Sequence, residues 1–195
     1  IGISGFPIHG IILSFLLLLS FYFNGSFMME WGLIASVTLF AAWFFHEDNV
    51  KVAMDQISFT LFGVLYVAGL GGYSLLIRNF GDGERLIFFL LLIVWLGDIA
   101  AYYWGKHFGK KPLAPVVSPN KTMEGAIAGL VGSLAAGAIA GFSFLGHIAM
   151  AHCLLVALIC GTIGQFGDLA ESLLKRHAGI KDSGEIFPGH GGILD

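Results

Sequence analysis

An unbroken apolar stretch long enough to cross a bilayer leaves a chain almost no choice of structure, and this sequence carries six of them. Inside hydrocarbon every backbone N–H and C=O must be satisfied within the segment or its closed sheet, so helices and barrels are the only spanning forms. The stretches run over Phe6–Phe23, Phe27–Phe45, Ile57–Ile77, Leu86–Trp104, Met123–Phe144 and His147–Phe166. Each has about 20 residues, the length a helix needs to cross roughly 30 Å of hydrocarbon at 1.5 Å per residue. Composition agrees, with 56% hydrophobic and 12% charged residues, against roughly 25% charged in a soluble domain. The expected fold is therefore all-α: a polytopic bundle of about six spans, residues 1–195 forming a single membrane-embedded domain. Residues 86–195 hold most of the polar motifs. Ile1–Phe23 contains no Lys or Arg and reads as a spanning helix, because a cleavable leader has a basic start. A chain that starts at Ile1 and stops inside a motif at Asp195 is expected to be a fragment.

The basic residues are sided. Asn24–Ser26 and Leu145–Gly146 carry none, whereas Gly105–Thr122 holds Lys106, Lys110, Lys111 and Lys121, and the tail adds Lys175, Arg176 and Lys181. Lys and Arg near span ends stay in the cytoplasm, so an inside amino end collects His46–Gln56, Gly105–Thr122 and Gly167–Asp195 on that face. Arg78 and Arg85 are the exception, offset by Asp82 and Glu84. An active-site cleft on the cytoplasmic face is expected, where a soluble nucleotide meets a lipid head group.

Within the fifth span Gly125, Gly129, Ser133, Gly137 and Gly141 recur every four residues, a smooth ridge for close approach of another helix. The partner is either another span or a second copy. Gly69, Gly71 and Gly72 are expected to loosen the third span. Cys153 and Cys160, seven apart in one apolar run, are about 10 Å apart on a helix and too distant for a disulfide. His9, His147 and His152 sit singly near span ends and read as interfacial.

Asp98 lies deep in the fourth stretch, where a carboxylate costs about 2.5–3.5 kcal/mol on the insertion scale. It is expected to face a wet cavity or partner, with Tyr102 and Lys106 on the same helical face. Ser118-Pro119-Asn120-Lys121-Thr122-Met123-Glu124-Gly125 leads into the fifth span as a turn. Hydroxyls, free N–H groups and a lysine at a helix start suit a phosphate, while Ser118 or Thr122 acting as an ordinary cap is the plainer alternative. After Gly167, Asp168, Glu171, Ser172 and Lys175 form one polar stripe on a helical continuation of the sixth span. It suits a divalent cation and phosphate, or a row of helix salt bridges. Lys181 to Asp195 follows, with Pro188 and several glycines that exclude a regular helix and let backbone approach a ligand. Carboxylates at Asp168 and Asp195 beside Lys175, Arg176 and Lys181 suit an oxygen-ligand Mg²⁺ and phosphate site.

Ser172-Leu173-Leu174-Lys175-Arg176, then Lys181-Asp182, His190-Gly191-Gly192 and Asp195 resemble the signature of the CDP-diacylglycerol synthase family, also called phosphatidate cytidylyltransferase. Gly97-Asp98, Ala101-Tyr102, Gly105, Ser118-Pro119, Lys121-Thr122 and Glu124-Gly125 resemble its other characteristic stretches, in the same order. Asn120 and Met123 depart from the family's frequent Lys and Trp, and the signature ordinarily continues beyond Asp195. The resemblance implies transfer of the cytidylyl group from CTP to phosphatidic acid, with release of pyrophosphate and a requirement for Mg²⁺, a second cation being left open. It implies catalytic roles for Asp168, Lys175, Arg176 and Asp195, and metal binding by Asp168, Asp195 and Glu171. Substrate contacts are implied for Asp98, Ser118, Lys121, Thr122, Ser172, Lys181, Asp182, His190, Gly191 and Gly192. The implied partners are CTP, phosphatidic acid and the bilayer, with no nucleic acid; a homodimer is left open. The implied location is a bacterial inner membrane. A cytidylyltransferase for another lipid phosphate and a transporter using Asp98 in an ion pathway are the alternatives.

Overall fold

The computed structural model describes residues 6–23, 28–46, 49–177 and 179–180. Six helices lie within them: α1 (Pro7–Tyr22), α2 (Met28–His46), α3 (Val50–Arg78), α4 (Gly83–Phe108), α5 (Met123–Phe142) and α6 (Met150–His177). Each of the six expected apolar stretches contains one of these helices over most of its described residues. Among the described residues α3, α4, α5 and α6 are long and apolar enough to cross a membrane, while Pro7–Tyr22 and Glu30–Ala42 are shorter apolar helices. Large apolar side chains such as Ile11, Phe15, Phe62, Trp95, Ile127 and Ile163 are exposed around these helices. The protein is a multi-pass membrane protein.

The helices overrun the apolar stretches where polar residues follow without a breaker. α3 begins at Val50, seven residues before the expected start, because the Asn49 side chain caps it by accepting the N–H groups of Lys51 and Val52. α6 has 28 residues and is about 42 Å long, so its last turns exceed the hydrocarbon layer.

The chain divides into two compact units, Ile1–Glu84 and Arg85–Asp195. In the first, α1 packs on α2 and α3 around Leu13, Leu17, Phe21, Leu39, Ile57 and Val64. Two hydrogen bonds tie these helices: the Phe6 N–H to Thr60 Oγ1 at 2.9 Å, and Trp31 Nε1 to the Leu13 carbonyl at 2.7 Å. The expected loosening of α3 takes the form of a π-helical turn at Leu65–Gly69. Gly72, just beyond it, lies so close to the Phe21 ring that a Cβ there would collide with it.

In the second unit the ridge of α5 is buried between α4 and α6. A Cβ on Gly125 would stand 2.9 Å from the Ala101 carbonyl oxygen, and one on Gly137 would stand 2.8 Å from Ala157 Cβ. Ser133 Oγ donates to the Ile93 carbonyl at 3.3 Å. Other spans of the same chain thus occupy the ridge. Cys153 is buried in this core and Cys160 half-buried, both as free thiols.

Between α4 and α5 the expected turn is an antiparallel hairpin, β1 (Pro112–Ala114) and β2 (Ser118–Thr122), with Pro112 opposite Thr122 and Ala114 opposite Ser118. It is the one departure from an all-α fold among the described residues. Pairing spares the backbone of this short connection from lying unsatisfied beside the helix ends.

Candidate active site

The end of α4, the hairpin, the start of α5 and the second half of α6 meet at one end of the second unit. There they enclose a cavity of about 600 Å³ lined by Asp98, Tyr102, Lys106, Ser118, Asn120, Lys121, Thr122, Gln165 and Asp168. Asp98, the segment with Ser118, Lys121 and Thr122, and Asp168, three places that the sequence separates by tens of residues, therefore share one space. A second, smaller cavity of about 290 Å³ adjoins them, lined by Asp98, Gln165, Asp168 and Glu171 together with Gly97, Cys160, Gly161 and Gly164. Asp98 thus faces cavities that it shares with other polar side chains, in keeping with its cost in hydrocarbon.

Lys121 forms an ion pair with Asp168, linking hairpin to α6. The Lys106 ammonium lies over the Tyr102 ring, 5.7 Å from its centroid, an attractive cation–π arrangement. One turn beyond Asp168, Glu171 Oε1 and Lys175 Nζ pair at 3.0 Å across i,i+4. Both side chains are mostly buried, and Glu171 lines the smaller cavity. Arg176 Nε reaches the Val117 carbonyl at 3.5 Å, at the hairpin turn. Ser172 is half-buried on the same helix and lines neither cavity. Lys181, Asp182, His190, Gly191, Gly192 and Asp195 lie outside the described residues.

Of the two readings of the start of α5, anion site or ordinary cap, the geometry has the cap. Thr122 Oγ1 accepts the Gly125 N–H at 3.1 Å, and the Met123 N–H donates to the Lys111 carbonyl at 2.9 Å. These donors are used internally, so anion attraction at this wall rests on the Lys121 and Lys106 ammonium groups. Thr122 has the capping role, and Ser118 contributes to the cavity wall.

Two contacts here escaped sequence reasoning. Gln165 Nε2 donates to the Ala126 carbonyl at 2.9 Å, fixing α6 to α5 one turn before Asp168. Its sequence signal is a lone amide in an apolar run, three residues from a carboxylate. Glu124 Oε2 accepts the backbone N–H groups of both Lys110 and Lys111, each at 3.1 Å. That contact joins residues 13 and 14 apart in sequence and leaves no periodic signature.

A model of the cytidylyltransferase family matches residues 3–195. A phosphatidate cytidylyltransferase of Staphylococcus epidermidis is 42% identical over 164 residues, covering 84% of this chain and 62% of that protein. One of Staphylococcus saprophyticus is 45% identical over 138 residues, covering 71% of this chain and 52% of its own length. One of Bacillus subtilis is 42% identical over 142 residues, covering 72% and 53%. The chain spans between half and two thirds of the length of these relatives. With the family match running over almost its whole length and the family's polar stretches gathered around one cavity, the chain belongs to the cytidylyltransferase family.

Proposed function

We propose that this protein transfers the cytidylyl group of CTP to phosphatidic acid, giving CDP-diacylglycerol and pyrophosphate for phospholipid biosynthesis. The observation that carries the reading is the identity of 42–45% to the relatives named phosphatidate cytidylyltransferase. The cavity between carboxylates and ammonium groups supports it. A phosphate oxygen of the lipid attacks the α-phosphorus of CTP; that P–O bond forms as the bond to the β-phosphate breaks, and pyrophosphate leaves with the electron pair. The lipid phosphate is already ionised near neutral pH, so no strong protein base is required. What the chain must supply is charge neutralisation and alignment. Lys121, held in the cavity wall by Asp168, is placed to exchange that carboxylate for a phosphate. Lys175 and Arg176 are assigned to phosphate as well, with Lys181, Asp182, Ser172 and the His190-Gly191-Gly192 segment completing the nucleotide site.

The donor set suits Mg²⁺. Asp98, Asp168 and Glu171 offer only oxygen to one cavity, although among the described residues no three His, Cys, Asp or Glu side chains stand close enough together to hold a metal ion by themselves. Mg²⁺ characteristically takes one or two carboxylates and fills its remaining positions with water and substrate phosphate. Asp168 and Glu171, with Asp195, would hold it, and bound there it supplies positive charge to the triphosphate. The same reading puts the cavity on the cytoplasmic face of a bacterial inner membrane, where the lysine-rich connections gather.

The test is pyrophosphate release from CTP by the protein in liposomes. Release should require phosphatidic acid and Mg²⁺ together. Release driven by a different lipid phosphate would reassign the acceptor, and none from folded protein would overturn the reading.

A further inference from the structure

We infer that Glu124 is a positioning residue that locks the base of the β1–β2 hairpin and so sets where Lys121 stands over the cavity. The inference rests on the cytidylyltransferase reading for its kinetic consequence and on backbone geometry for its physical basis. After α4 ends at Phe108, the chain must reverse and enter β1 at Pro112. Proline has no N–H, so the first residue of β1 contributes no donor to the strand ladder. The two donors just before it, the Lys110 and Lys111 N–H groups, stand where the ladder has run out. Both are taken up by one carboxylate oxygen, Glu124 Oε2, at 3.1 Å. In return the Lys111 carbonyl accepts the Met123 N–H at 2.9 Å. The exit from α4 and the entry to α5 are thereby clamped to each other, and charge-assisted bonds to backbone N–H are the stronger kind.

The clamp bears on chemistry through its neighbours. Thr122 caps α5 and Lys121 precedes it, so the backbone that Glu124 fixes is the backbone that carries Lys121 to Asp168. Ser118 and Asn120 of the cavity wall lie on the same strand. Glu124 itself does not line the cavity. Its effect on catalysis is therefore indirect.

Two measurements on the protein in lipid nanodiscs test this, comparing wild type with Glu124→Ala and Glu124→Gln. The first is amide hydrogen exchange at Lys110 and Lys111. Loss of the acceptor in Glu124→Ala should speed it by about tenfold or more, whereas the amide oxygen of Glu124→Gln keeps most of the protection. The second is pyrophosphate release with CTP varied. Glu124→Ala should raise KM for CTP about tenfold with kcat within about threefold, the pattern of a misplaced binding wall, and Glu124→Gln should stay within about threefold of wild type in both. Unchanged exchange in Glu124→Ala would overturn the inference, as would Glu124→Gln behaving like Glu124→Ala in both measurements, which would make the charge and not the hydrogen bonds the operative feature. If wild type releases no pyrophosphate, the proposed function has failed, and the exchange measurement alone decides whether Glu124 holds the hairpin.

Discussion

In residues 1–84 the helices meet through large side chains, whereas in residues 85–195 they meet through glycine, alanine and serine. Leu13, Leu17, Phe21, Leu39 and Ile57 make up most of the first core, with Ala35 and Ala68 beside them; the second sets Ala136, Ala140 and Ala157 among Phe89, Ile93 and Leu145, with Gly125, Gly129 and Gly137 against neighbouring helices. Bulky contacts hold helix axes about 8–10 Å apart, and small residues let them approach more closely. Close approach is what allows short side chains to reach across, as Ser133 does to Ile93 and Gln165 to Ala126. It also brings Asp98 of α4 and Asp168 of α6 to the same cavity walls. The first unit has cavities too, one lined mainly by Ile12, Leu13, Leu16, Ile34, Ala41 and Ala42 and a slightly larger one by Phe6, Phe59, Val64 and Val67, and no carboxylate or ammonium lines either. Apolar spans become a catalytic scaffold where small residues tighten the bundle and polar side chains gather at one end.

The sharpest way to break this comparison is to remove one carboxylate from each unit. Asp168→Ala should lower pyrophosphate release by about 100-fold or more, the scale expected when a group that organises transition-state charge is lost. Asp55→Ala, on α3 in the first unit, should stay within about twofold. Equal losses would mean that the chemistry is not confined to the second unit. Lys121→Ala comes next, with kcat/KM for CTP expected to fall about 10-fold to 100-fold, because it removes the ammonium that faces Asp168 at the cavity wall.

How far these features were legible from the residues follows from what hydropathy and motif spacing measure. Hydropathy marks the apolar length of a helix, so each expected stretch was found while α3 and α4 proved longer; Lys51 and Lys106 are helical yet polar. The gathering of Asp98, Ser118, Lys121, Thr122 and Asp168 was legible through the resemblance of their motifs to one family, and here they line a common cavity. The β1–β2 hairpin was not, since a three-residue strand beginning with proline and a second containing Pro119 carry almost no strand signal. The contacts of Glu124, quoted only as part of a motif, and of Gln165 were missed for a related reason: both act on backbone atoms of distant residues, and backbone has no letter in a sequence. The glycine ridge was legible as packing, but only the fold identifies α4 and α6 of the same chain as its neighbours.

The smallest effect is the most direct test of the packing contrast, because it uses the same added methyl group in both units. Gly137→Ala places a Cβ 2.8 Å from Ala157 Cβ and 2.9 Å from the Cys153 carbonyl oxygen, so backbone must move. Overpacking of this kind costs about 1–3 kcal/mol, and the thermal midpoint in detergent should fall. Gly32→Ala, on α2, has nothing within 4 Å of the new Cβ. There the methyl group restricts the unfolded backbone without meeting a neighbour, and helix propensity favours it by about 0.5–1 kcal/mol, so the midpoint should hold or rise slightly. A drop in Gly32→Ala matching that in Gly137→Ala would show that the first unit also depends on close helix approach, and the division between bulky and small-residue packing would no longer account for where the polar site lies.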